Sequence, residues 1–137
     1  MVALSKFRID SAAVASGSWV MVDGYRGLRI KSRGFTDEFV DARTRRLAIA
    51  CKENRCQLDE LPNAARRQVN AGLTADFLIL DVDGLFHDDD EKQPVTVDEF
   101  KAMLADPDWN YLQRAVWDAA GQVSKDAEGQ SADAVGN

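Results

Sequence analysis

The sequence predicts a mainly α-helical fold with a short N-terminal antiparallel β unit, an α+β arrangement built as a small helical bundle. Three observations predict it. The first third alternates apolar with polar residues around the turn pair Asp23-Gly24. Helix-start signals stand at Thr36, Thr96 and Asp106-Pro107. Apolar residues behind each signal recur at spacings of three and four. With 137 residues, 45% hydrophobic and 29% charged, the chain suits one domain around one core. That domain is expected over residues 1–123, as a β unit at 1–34 and a helical part at 35–123. Residues 124–137 are expected to form a disordered tail.

In the β unit, Phe7 and Ile9 alternate with Lys6 and Arg8. The run Trp19-Val20-Met21-Val22 leads into Asp23-Gly24. Leu28 and Ile30 then alternate with Arg29, Lys31 and Arg33, which gives one apolar and one basic face. A meander of two or three strands is the economical reading, and it must pack on helices to be stable.

Four helices are expected, near residues 36–55, 63–80, 97–105 and 107–123. Thr36 caps the first, with Asp37 and Glu38 at the positive end of its dipole. Pro62 opens the second, along the stripe Ala65, Val69, Leu73, Phe77 and Leu80, although Phe77-Leu78-Ile79-Leu80 also suits a strand. Thr96-Val97-Asp98-Glu99 is a capping box for the third. Asp106-Pro107 opens the last, whose stripe comprises Trp109, Leu112, Val116, Ala119, Ala120 and Val123. Trp109 and Leu112 are assigned to the core. Tyr111 and Trp117 lie off that stripe and are read as exposed aromatics that bind a partner.

Charge is unevenly distributed. Residues 1–75 hold 13 Lys/Arg against 8 Asp/Glu, and residues 76–137 hold 4 against 15. A net charge of −6 argues against a dedicated nucleic-acid binder. The basic face with Arg43 and Arg46 is read as a solvated helix surface, with docking as the alternative. Cys51 and Cys56 point roughly 140° apart on a continuous helix, so both are expected as free thiols. No apolar stretch is long enough to span a membrane, and the first residues lack the order of a secretory signal, which predicts a cytoplasmic location.

The run Phe77 to Gly84 ends in Asp81-Val82-Asp83-Gly84 and resembles the first motif of haloacid-dehalogenase-like phosphatases. There a strand delivers an aspartate nucleophile and an aspartate acid. That motif opens a long α/β domain, whereas the 53 residues that follow Gly84 here read as helices and a tail, with no further sheet. The segment is therefore expected to be a helix end entering an exposed acidic loop. An EF-hand begun at Asp81 places Gly84 fourth and Lys92 twelfth, which fails the loop geometry. No catalytic, cofactor or metal residue is assigned.

Three segments together resemble the tail assembly chaperones of long-tailed bacteriophages. Gly17-Ser18-Trp19-Val20 followed by Leu28 to Gly34 looks like that family's small N-terminal strand unit. The run Phe77 to Gly84 is similar to its apolar approach to an acidic-Gly pair, with Val82 where the family has Trp. Pro94-Val95-Thr96, Phe100 and Leu104-Ala105-Asp106-Pro107-Asp108-Trp109 through Ala119-Ala120 resemble its late helix pair. The resemblance implies a non-enzymatic protein of the host cytoplasm that shields the tape-measure protein and meets the tail tube protein. It leaves self-association open. A connector retained in the virion is the alternative function, and an Asp-dependent phosphatase the third.

Overall fold

The computed structural model describes residues 1–136, with side chains described through Glu128. A three-stranded antiparallel sheet in the order β1 (Ser18–Met21), β2 (Arg29–Ser32) and β3 (Ile79–Asp83) lies at its centre. Around it, among the described residues, run α1 (Ser11–Ser16), α2 (Asp37–Glu53), α3 (Asn63–Leu73), α4 (Val97–Met103) and α5 (Asn110–Gly136). The class is α+β, as the patterning predicts.

The β1–β2 hairpin turns at Asp23-Gly24, with Gly24 and Gly27 both at positive φ. Val20 stands opposite Ile30, and Ile30 opposite Val82, which makes the inner row of the sheet. Trp19, Met21, Arg29, Lys31, Asp81 and Asp83 take the other face. There the Arg29 guanidinium lies 5.0 Å from the Trp19 ring centre and donates to Asp83 at 2.7 Å. The apolar-in, polar-out alternation read from β2 is thus realised.

No strand forms over Lys6 to Ile9. Leu4–Phe7 is a 3-10 turn, Phe7 and Ile9 are exposed, and Asp10 accepts from the Ala13 amide to start α1. Four alternating residues without a neighbouring strand have nowhere to place their hydrogen bonds. A local cap satisfies the backbone instead.

The expected helix over 63–80 divides. After α3 the chain widens into a π turn at Thr74–Leu78 and enters β3 at Ile79. The helix end expected at the DVDG segment is therefore a strand. Tertiary pairing decides it: Arg33 donates its amide to the Leu78 carbonyl at 2.9 Å, and β3 pairs along β2. A bulge at Leu80 separates the Ser32–Ile79 pair from the Lys31–Asp81 pair. It lets Ile79 and Val82 both be buried while Asp81 and Asp83 remain exposed. Gly84, at φ 80°, lies where a Cβ would run into the Gly27 carbonyl of the hairpin, so its lack of a side chain serves packing.

The caps at Thr36, Thr96 and Asp106 match the expected ones, whereas Pro62, expected as a first helical position, stands just before α3. Thr36 accepts from Phe39, Thr96 and Glu99 form a reciprocal box, and Asp106 accepts from Asp108. The last helix runs further than expected. Ser124 accepts from the Phe35 amide at 3.0 Å and donates to the Ala120 carbonyl, and Ala127 is buried. The disordered tail expected from residue 124 is thus corrected through Glu128. Small Ala and Ser side chains let α5 pack closely where composition alone suggests disorder. The part of that expectation covering side chains 129–137 lies outside the described residues.

Gly34 permits this approach, because a Cβ there would stand 2.6 Å from Ser124 Oγ and 2.7 Å from a Val14 methyl. Gly34→Ala is expected to cost about 1–3 kcal/mol by forcing α5 away from the sheet, read from urea unfolding of both proteins.

The Thr96 amide, then its hydroxyl and His87, bond the Glu99 carboxylate and hold its pKa below the ordinary value. Folding therefore favours the ionised form. This contribution is present above the ordinary carboxylate range and is lost as the pH falls through the lowered value. Amide protection at the start of α4 should decline on acidification in the native protein, and Glu99→Gln should remove that pH dependence.

Candidate functional site

A concavity lies where β1 runs beside α5. It is a groove of about 680 Å³, with Trp19, Met21 and Tyr25 on the strand side. On α5 it is lined by Tyr111, Arg114, Ala115, Asp118, Ala119, Gln122 and Asp126. These helix residues recur at three and four positions, so a single face of α5 forms the floor. Ala119 is buried, Met21 is 72% exposed and Tyr111 is 70% exposed. The Arg114 guanidinium lies 5.6 Å from the Tyr111 ring centre. Asp23, Asp118 and Asp126 give the groove an acidic balance. The groove can therefore hold an apolar surface flanked by cations.

The four residues singled out from the sequence do not converge. Tyr111 is exposed and lines the groove, as expected. Trp117 does not match its expected role. Its ring packs at 5.7 Å from Phe35 and 5.4 Å from Phe39, and its indole N–H donates to the Thr74 hydroxyl at 2.7 Å. Thr74 is fully buried and donates to the Asn70 carbonyl, so Trp117 closes a polar relay inside the core. Trp109, assigned to the core, is instead 50% exposed. The chain from Pro107 to Trp109 is a 3-10 turn, so the wheel of α5 does not extend back to it.

Arg43 and Arg46 lie on α2, away from the groove. Arg43 is exposed. Arg46 donates to Asp76 at 2.8 Å and stands 5.4 Å from the Phe77 ring centre, which fastens α2 to the π turn. Arg66 donates to the Leu58 and Leu61 carbonyls. Part of the basic region thus serves internal contacts.

Cys51 and Cys56 are both free, as expected, but the wheel argument misplaces them. α2 ends at Glu53, Arg55 adopts φ 51°, and the Cys56 amide donates to the Cys51 carbonyl. Partial burial, with Cys51 and Glu60 adjoining, pushes the Cys56 thiol above its ordinary pKa.

Asp81 and Asp83 stand on an antiparallel strand at the edge of the sheet. Asp81 Oδ1 accepts from the next amide, Val82, and Asp83 pairs with Arg29. Such a motif serves phosphatases at the end of a parallel strand, and these residues do not build that arrangement. Among the described residues, no group of three or more His, Cys, Asp or Glu side chains is placed to hold a metal ion. No described helix is long and apolar enough to cross a membrane.

Comparison with family models, curated proteins and solved structures gives no match.

The groove residues other than Tyr111 were not singled out from the sequence. Two signals point to them: an uncharged strand, Ser18-Trp19-Val20-Met21, and the row Tyr111, Ala115, Asp118, Gln122 along one helix face. The division between core and groove aromatics is measurable. Trp117→Phe should lose about 1–2 kcal/mol of stability through the severed Thr74 bond. Tyr111→Ala should remain within about 0.5 kcal/mol, by denaturant titration of each variant.

Proposed function

We propose that this protein is a non-catalytic tail assembly chaperone of long-tailed bacteriophages. It holds apolar stretches of the tape-measure protein in the host cytoplasm until tail tube protein assembles around them. The observation that supports this reading is the groove between β1 and α5. Its large exposed side chains, Met21, Tyr25 and Tyr111, are supported by the sheet and the long helix. A concave surface with aromatic anchors and an acidic margin suits transient cover for a segment that is later released. The three-part sequence resemblance supplies the identity of that segment. The paired or self-bonded state of Asp81 and Asp83 favours binding over aspartate chemistry.

Co-expression with a bacteriophage tape-measure protein tests the reading. The tape-measure protein should co-purify with the native chain, and Tyr111→Ala should weaken capture by about tenfold or more. Failure to co-purify overturns the proposal. Recovery of the chain from purified particles would mark a structural connector instead. A magnesium-dependent phosphatase activity abolished by Asp81→Asn would overturn the non-catalytic assignment.

A further inference from the structure

The two edges of the sheet are finished differently. At β3 the bulge interrupts the ladder, and Asp81 Oδ1 accepts the outward Val82 amide at 2.8 Å. That edge is closed by its own sequence. At β1 no such device is present.

The hydrogen-bond phase shows which groups β1 leaves open. Val22 donates its amide to Leu28, in the same register that pairs Val20 with Ile30 and Ser18 with Ser32. Alternate residues of an antiparallel strand direct their backbone groups to opposite sides. The amides and carbonyls of Trp19 and Met21 therefore face away from β2, towards the groove. No described strand pairs with that side, and β1 carries neither a charged residue nor Pro to guard it.

The groove beside this edge has a definite chemistry. Asp23, Asp118 and Asp126 line it, and none forms a salt bridge with a cationic side chain among the described residues. Arg114 is its sole cation among the lining residues. Ala115 and Ala119 keep the floor shallow, which leaves room for a backbone above α5.

We infer that the free edge of β1 takes up an extended segment of a partner protein as a fourth strand, and that this segment alternates apolar with Lys or Arg residues. The apolar set lies beside Trp19 and Met21 on the outer face. The basic set points over α5, where Asp118 and Asp126 stand. Backbone pairing supplies affinity and the alternation supplies selection. A second copy of this chain is a poor occupant, because its β1 brings no cation and its Asp23 adds to the acidic balance. The inference rests on the chaperone reading only in taking the tape-measure protein as the source of the segment.

The test uses the full chain labelled with ¹⁵N and a synthetic peptide of alternating Val and Lys. Amide exchange at Trp19 and Met21 should slow by about tenfold or more on binding, whereas Val20 and Val22, already directed at β2, should change little. N-methylation of alternate peptide amides should abolish binding in one phase and spare it in the other. The double variant Asp118→Asn, Asp126→Asn should weaken binding about fivefold and flatten its salt dependence.

Equal binding by a Val–Glu peptide overturns the inference, as does indifference to N-methylation. Protection at Trp19 and Met21 that rises with protein concentration alone would assign the edge to a second copy and overturn the proposed occupant. Two results separate this inference from the functional proposal. If the peptide binds at β1 but the tape-measure protein is not captured, the functional proposal falls and the edge site stands. If the tape-measure protein is captured without protecting Trp19 and Met21, the edge site falls and the functional proposal stands.

Discussion

The fold depends on the cover that α5 gives to the inner face of a small sheet. Three short strands cannot bury enough surface by themselves to remain folded. Val116, Ala119, Ala120 and Val123 of α5 are buried, and Ile30 at the centre of β2 has no exposed surface. Ala119 and Ala120 keep the helix close, and Gly34 with Ser124 fixes how far along the sheet it lies. Trp117 then reaches from the same helix to Phe35, Phe39 and Thr74. One helix therefore joins the sheet, the start of α2 and the end of α3.

The same arrangement produces the groove. α5 turns one row of residues into the core and presents the adjoining row, from Tyr111 to Gln122, beneath the edge of β1. The binding surface is thus continuous with the structural core. Its shape is set by rigid elements, while its polarity is set by residues that carry little of the packing. Asp118 and Tyr111 are exposed, so they can define what is bound without supporting the fold.

The local chemistry of the chain was the readable part. Thr36, Thr96 and Asp106 announce helix starts through side chains that satisfy nearby amides, a signal contained within a few residues. Asp23-Gly24 announces its turn in the same way. Long-range pairing was not readable. Phe77 to Leu80 could join a helix or a strand, and a partner strand some fifty positions earlier decides it. Trp109 was assigned from a regular helical wheel, which the 3-10 turn before Asn110 invalidates. Trp117, at the flank of that wheel, is covered by Phe35, Phe39 and Thr74, which are distant in sequence. Cys56 was placed by extending α2 beyond Glu53, whereas the left-handed Arg55 returns it to Cys51. For the groove, the apolar strand and the spaced row on α5 were visible separately, but their adjacency was not.

The bulge at Leu80 has a consequence for how this gene can change length. With one extra residue in β3, Ile79 and Val82 face inward although they are three positions apart. Loss of Leu80 would only regularise the strand, whereas deleting or inserting one residue within Asp81-Val82-Asp83 would break the alternation that puts Val82 inward and both aspartates outward. The acidic loop after Gly84 carries no such parity, and its tip between Phe86 and Pro94 is exposed. Related sequences should therefore keep the spacing from Asp81 to Asp83 while differing by the single residue at the bulge and freely in length a few residues after Gly84. Conserved spacing would be a better guide to kinship for this fold than conserved side chains.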